Sequence, residues 1–316
     1  MKILIAYDGS SCAEAALDDL VRAGLPETGE FAVMSVAEVW LPPDNMRQEW
    51  EAENPDSDYL NEINRKHDKK SKETIAEFET LANHAATRLR RMFSGWTVTA
   101  EAAAGSPAWE VLSKAGNFKP DLIVAGSQGR SAVGRFFLGS ISQKVLTEAH
   151  CSVRVARGRV EVDDPTPIRI VIGFDGSQGA QAAVEAVARR HWRESSEFRL
   201  VMATDQAAPS TFDRFVPPSA VQWLEDETKS KIEWMEKIAA PALQILKTAN
   251  CTATLQTVAG NPKKVLVEEA TRWNADAIFV GANSFGSRIE RFLLGSVSAA
   301  VAARAHCTVE VVRKYQ

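Results

Sequence analysis

Two periodicities alternate along the chain. Short apolar runs, Lys2-Ile-Leu-Ile-Ala-Tyr7, Phe31-Ala-Val-Met-Ser-Val36 and Leu122-Ile-Val-Ala125, read as buried strands. Between them lie stretches with helical spacing of apolar residues, Cys12–Ala23, Lys69–Met92 and Ile141–Ala149. A further strand over 97–104 runs into Gly105-Ser-Pro107, where proline suits the first position of a helix. Ala149-His-Cys151 then leads into a last strand, Ser152-Val-Arg-Val-Ala156. The whole series then starts again. Asp8-Gly9-Ser10 returns as Asp175-Gly176-Ser177, Gly105-Ser-Pro107 as Gly260-Asn-Pro262, and Ala149-His-Cys151 as Ala305-His-Cys307. Helical spacing also returns, over Gln178–Arg190 and Ala220–Ala249. A repeat this long is one folding unit used twice.

Each unit reads β-α-β-α-β-α-β-α-β, which predicts a parallel sheet covered on both faces by helices. The fold class is α/β, with two tandem doubly wound domains at 1–157 and 168–316 and a linker around Asp163-Asp-Pro165. In such a sheet a ligand sits at the carboxyl ends of the strands, where the strand order reverses. Residues 37–68, polar and carrying Pro42, Pro43 and Pro55, form a longer excursion than the second unit has, either a surface loop or a lid.

Composition narrows the class of function. A net charge of −4 on 316 residues does not suit a broad nucleic-acid or anionic-membrane surface. The basic runs 66–72 and 88–91 lie in Glu-rich helical stretches and read as solvated faces. Cys12, Cys151, Cys251 and Cys307 have no metal-ligand spacing and suit reduced, cytoplasmic thiols. No run reaches the roughly 18–20 apolar residues needed to cross a bilayer. The scattered tryptophans fit packing roles, and His150 and His306 fit helix C-termini.

The candidate chemistry is concentrated after Ala125. Gly126-Ser-Gln-Gly129-Arg130 follows a strand, and Gly139-Ser140-Ile141-Ser142 opens a helix. Glycines let backbone N–H groups approach a ligand, and a helix N-terminus favours an anion. No lysine completes the Walker-type Gly-x4-Gly at Gly134–Gly139, and neither Asp-Gly-Ser turn is a nucleophile elbow.

The pattern Gly126-x2-Gly129-x9-Gly139-Ser140, with Asp8 closing the first strand, resembles the universal stress protein family, in a tandem form covering nearly the whole chain. The resemblance implies two adenine-nucleotide alpha hydrolase-like domains packed as a pseudo-dimer through their last strands. It implies that Ala6, Tyr7, Asp8 and Val36 hold adenine and ribose. It further implies that Ala125, Gly126, Gly129, Gly139, Ser140, Ile141 and Ser142 surround the phosphates, with Arg130 as an added contact. The expected ligand is ATP, with or without Mg2+, and a further homodimer is compatible. The second unit departs from the pattern: Ser284 or Phe285 takes the place of the second glycine, and Thr204 that of Val36. One competent site per chain is therefore expected, in the first unit, the alternative being a degenerate second site that still takes another adenosine ligand.

The residues leave three functions open. The preferred one is a cytoplasmic ATP-binding regulatory protein without a catalytic residue. The second is a slow ATPase or self-phosphorylating enzyme using Ser140 or Ser142, for which no positioned base is visible. The third is a nucleotide-free scaffold.

Overall fold

The computed structural model describes residues 1–39, 58–129, 138–157, 166–204, 218–282 and 294–313. The linker, most of the 37–68 excursion, Arg130, Ser284 and Phe285 lie outside them. The strands are β1 (Lys2–Ala6), β2 (Gly29–Ala37), β3 (Trp96–Ala104), β4 (Leu122–Gly126), β5 (Ser152–Ala156), β6 (Arg169–Gly173), β7 (Glu197–Thr204), β8 (Ala253–Ala259), β9 (Ala277–Gly281) and β10 (Thr308–Val312). They form one ten-stranded sheet in the order β3-β2-β1-β4-β5-β10-β9-β6-β7-β8. Each half is thus wound the same way, and its order reverses between the first and fourth strands.

Helices cover both faces. On one lie α1 (Ser11–Asp19) and α2 (Asp58–Met92) of the first half, then α5 (Gln178–Ala188) and α6 (Pro218–Thr248) of the second. On the other lie α3 (Pro107–Phe118), α4 (Ser140–Glu148), α7 (Pro262–Arg272) and α8 (Ser296–Arg304). The expected helix over 12–23 is shorter than its apolar spacing implies. It passes into a 3-10 turn at Leu20–Arg22, and the chain then turns at Gly24, whose φ of 63° favours glycine. The core under α3, α4, α7 and α8 is continuous across both halves, through Ile123, Val153, Val309 and Ile278. The opposite core is divided, with one cluster under α1 and α2 and another under α5 and α6.

What divides it is charge. β5 and β10 pair antiparallel, with Val155 opposite Val309, Arg154 opposite Glu310 and Val153 opposite Val311. Arg154 and Glu310 are each 1% exposed. Arg154 donates to Asp19 of α1 through Nε at 2.5 Å and Nη2 at 3.2 Å, and to Glu310 through Nη1 at 3.0 Å. Arg190, beyond α5, donates to the other Glu310 oxygen. The Thr308 hydroxyl donates to Asp19 at 2.8 Å. Burial opposes the charge on Arg154, but Asp19 and Glu310 outweigh it and hold the guanidinium firmly protonated. A buried charge set of this kind persists only when its members satisfy one another.

The helix that follows the first strand of each half lies close to the end of the fourth strand. A Cβ on Gly126 would stand 2.7 Å from the Cys12 carbonyl carbon, and one on Gly281 would collide with the backbone of Gly179. Both glycines are therefore required by helix-on-sheet packing, whatever else they do.

Candidate functional site

β1 ends at Ala6, paired with Met34, whereas β2 continues alongside β3 to Ala37. The extra length leaves the edge of β2 near Val36 beyond its neighbour's end. On the other side of β1, β4 ends at Gly126. The resulting gap between β1 and β4 is the reversal point of the first half, where a doubly wound sheet places its ligand. A cavity of about 490 Å³ lies there, within the range of small-molecule sites.

Its lining joins every site residue expected from the sequence except Arg130, which falls outside the described residues. Ala6, Met34, Val36, Pro107 and Val111 supply apolar surface, and Phe78 of α2 reaches in from the far face. Asp8, Gln128, Gly129 and the Gly139–Ser142 segment make the polar end. Ala13, Met34, Glu38, Phe78, Val111 and Gln128 were not singled out by sequence. Only Gln128 carried a signal, its place inside the glycine loop.

Asp8 is held by its own turn. Gly9 has φ of 73°, and the Ser10 N–H donates to Asp8 Oδ1 at 3.0 Å. Ser10 in turn caps α1, its hydroxyl accepting from the Ala13 N–H at 3.2 Å. The Tyr7 ring points the other way, into the core beneath α1 and α2, and its hydroxyl donates to Glu14. Burial and that carboxylate push the Tyr7 pKa well above its usual range, so the phenol is neutral. Tyr7 therefore borders the cavity while its side chain serves the core.

The start of α4 is different from that of α1. Its N-cap is Gly139, with no side-chain cap bond. The Gly139 N–H donates to Ser127 O at 2.8 Å, and the first intrahelical bond runs from Gln143 N–H to Gly139 O at 2.8 Å. The amides of Ser140, Ile141 and Ser142 thus stand at an uncapped first turn that borders the cavity, where an anion is favoured. The Ser142 hydroxyl donates to Gly126 O at 2.7 Å and ties helix to strand; Ser140 is exposed. Gly139 itself has φ −62° and ψ 150°, open to any residue, and among the described residues a Cβ there would meet nothing closer than 3.4 Å. Neither the backbone conformation nor packing against the described residues calls for a glycine at this position.

The universal stress protein family profile matches residues 1–157 and again residues 168–313. The chain belongs to this family. A universal stress protein of Mycobacterium tuberculosis is 23% identical over 318 aligned residues, covering 99% of this chain and 97% of that one. Among solved structures, a universal stress protein from Archaeoglobus fulgidus superposes with a TM-score of 0.60 at 20% identity, covering 99% of this chain and 98% of that chain. A putative universal stress protein from Pseudomonas aeruginosa gives 0.58 at 13% identity, covering 99% and 92%. At such identities the likeness is one of fold.

The second universal stress protein match has its own cavity at the same place, of about 270 Å³. It keeps Asp175, Gly281, Gly295, Ser296 and Ser298. Its floor, however, is filled. Gly173, Leu266 and Val280 take the places of Ala6, Val111 and Ala125. A Cβ on Gly173 would stand 3.0 Å from both Leu266 Cδ1 and Val280 Cγ1, so those side chains already occupy the space above the strand. The altered glycine loop suggested asymmetry between the two sites. The filled floor is a separate, physical difference between the two cavities, and one that was not read from the sequence.

Proposed function

We propose that this universal stress protein binds one adenine nucleotide, in the first half, and acts through that binding rather than through catalysis. The base lies against the β2 edge at Val36, between Met34, Val111 and Phe78. The phosphates lie along Gly126–Gly129 and on the Ser140–Ser142 amides. One observation carries the reading: a glycine loop and an uncapped helix start border the polar end of a cavity whose other end is apolar.

ATP is the preferred ligand. Among the described residues no cluster of three metal-ligating side chains forms. The Ser140 hydroxyl is an oxygen ligand of the kind Mg2+ takes beside phosphates, and the ion would arrive with the nucleotide. For self-phosphorylation, Ser142 is a poor acceptor, being 6% exposed with its proton committed to Gly126. Among the described residues no helix is long and apolar enough to cross a membrane.

Calorimetric titration with ATP, AMP and cyclic AMP, beside a γ-labelled ATP turnover assay, tests the proposal. It predicts saturable uptake without sustained hydrolysis. Turnover that continues over many equivalents contradicts the binder reading, and uptake of no adenylate contradicts the site.

A further inference from the structure

The seam between the halves carries an inference that does not depend on nucleotide binding. The closing segments Cys151-Ser-Val-Arg154-Val and Cys307-Thr-Val-Glu310-Val are equivalent by the repeat, so Arg154 and Glu310 occupy the same place in the two units. They also face each other across the β5–β10 pair. Val155 faces Val309, and Val153 faces Val311, so no other equivalent pair in this ladder meets itself. The local two-fold axis therefore runs between Arg154 and Glu310. At such a point two identical halves would each present the same residue, as in any isologous contact.

The neighbours of the axis show the same complementarity. With the helix caps Ser10 and Ser177 aligned, Asp19 corresponds to Ala186 and Arg190 to Ala23. The first half supplies the Asp19–Arg154 pair and the second supplies Arg190–Glu310, so each half is charge-balanced by itself. Arg154 with Glu310 joins the two charge pairs, and among the described residues Arg22 with Asp276, at 2.9 Å, is a further ion pair between the halves away from the axis. Arg190 also donates to the Ala23 carbonyl of the first half at 2.7 Å, a bond for which the first half has no counterpart donor at Ala23.

We propose that this axial Arg–Glu contact makes the seam selective: the β5 edge accepts the β10 edge of a second half and rejects another first half. Two first halves in this register would bury guanidinium against guanidinium, and two second halves carboxylate against carboxylate. Like charges without water between them are strongly unfavourable. Two whole chains that exchanged halves would keep the Arg–Glu contact, so the rule selects the half and not the chain. It pairs one open cavity with one filled cavity every time.

The test uses full-length chains. Glu310→Arg with Arg190→Ala and Ala186→Asp gives the second half the first half's seam charges, each locally paired. Arg154→Glu with Asp19→Ala and Ala23→Arg does the reverse. Urea unfolding followed by tryptophan fluorescence, which Trp192 reports from its place against Gly24 at the seam, measures the result. Each triple variant is expected to lose about a hundredfold or more in the folded-to-unfolded ratio. The combined six-substitution variant, whose axis is Arg–Glu again with reversed polarity, is expected to recover most of that loss. Triple variants as stable as the parent overturn the proposal. So does a combined variant that is no better than the weaker triple or fails to fold.

Discussion

The two cavities are built on the same frame, and they differ in what fills it. In each half an Asp-Gly-Ser turn ends the first strand, a glycine at the end of the fourth strand admits a helix, and a Gly-Ser helix start closes the ring. The first half then leaves its floor open with Ala6, Val111 and Ala125, giving about 490 Å³. The second builds Leu266 and Val280 over Gly173, leaving about 270 Å³. The lesson is that residues which make the fold and residues which make the site are separable even within one loop. Helix packing requires Gly126 and Gly281 whatever else they do, whereas no described residue makes that demand of Gly139.

That separation can be broken in order of expected effect. Gly281→Ala should be the most damaging, because its Cβ meets main chain at Gly179 that has no rotamer to move; a loss of about 3 kcal/mol or more is expected by urea unfolding. Gly126→Ala, tight against Cys12 and Ala13, should cost about 1–3 kcal/mol. A Gly281→Ala chain as stable as the parent would falsify the packing role.

Gly139→Val should do the opposite. Its stability is expected to stay within about 1 kcal/mol of the parent, while nucleotide affinity falls about tenfold or more, as read by calorimetry. The equivalent Gly295→Val should leave nucleotide affinity unchanged, because the proposed function places no nucleotide in the second cavity. Affinity unchanged in Gly139→Val would remove the phosphate from the helix start.

The smallest effect concerns the floor. Leu266→Val together with Val280→Ala restores the first half's side chains around Gly173, at a cost of about 1–3 kcal/mol in stability. The variant should acquire weak adenosine uptake in the second half. Adenosine is the right probe because it does not need the altered loop. If uptake is unchanged while the parent binds one equivalent, the filled floor is not what closes that site.

Much of the fold was legible because it rests on periodicity and repetition. The apolar runs at β1, β4, β6 and β9, the Ala-rich helices after Ser10 and Ser177, and the Gly-x-Pro turns each carry their signal locally. The polar half of the site was legible for a similar reason, since the loop from Gly126 and the start of α4 are continuous stretches. What was not legible depends on register and approach between distant segments. Phe78 reaches the cavity from a helix whose own pattern marks only its amphipathic face. Leu266 and Val280 look like ordinary core residues until they are seen to meet above Gly173. Arg154 stands in an apolar strand with no local sign of its role, because its partners Asp19 and Glu310 lie 135 and 156 residues away. The packing of Gly126 against Cys12 is hidden for the same reason, since the two lie more than a hundred residues apart.

The most direct test is the number of adenine nucleotides bound per chain at saturation, measured by calorimetry on the parent, Gly139→Val and Gly295→Val. One per chain, weakened only in Gly139→Val, is the predicted result. Two equal sites, or a single site weakened by Gly295→Val instead, would contradict it.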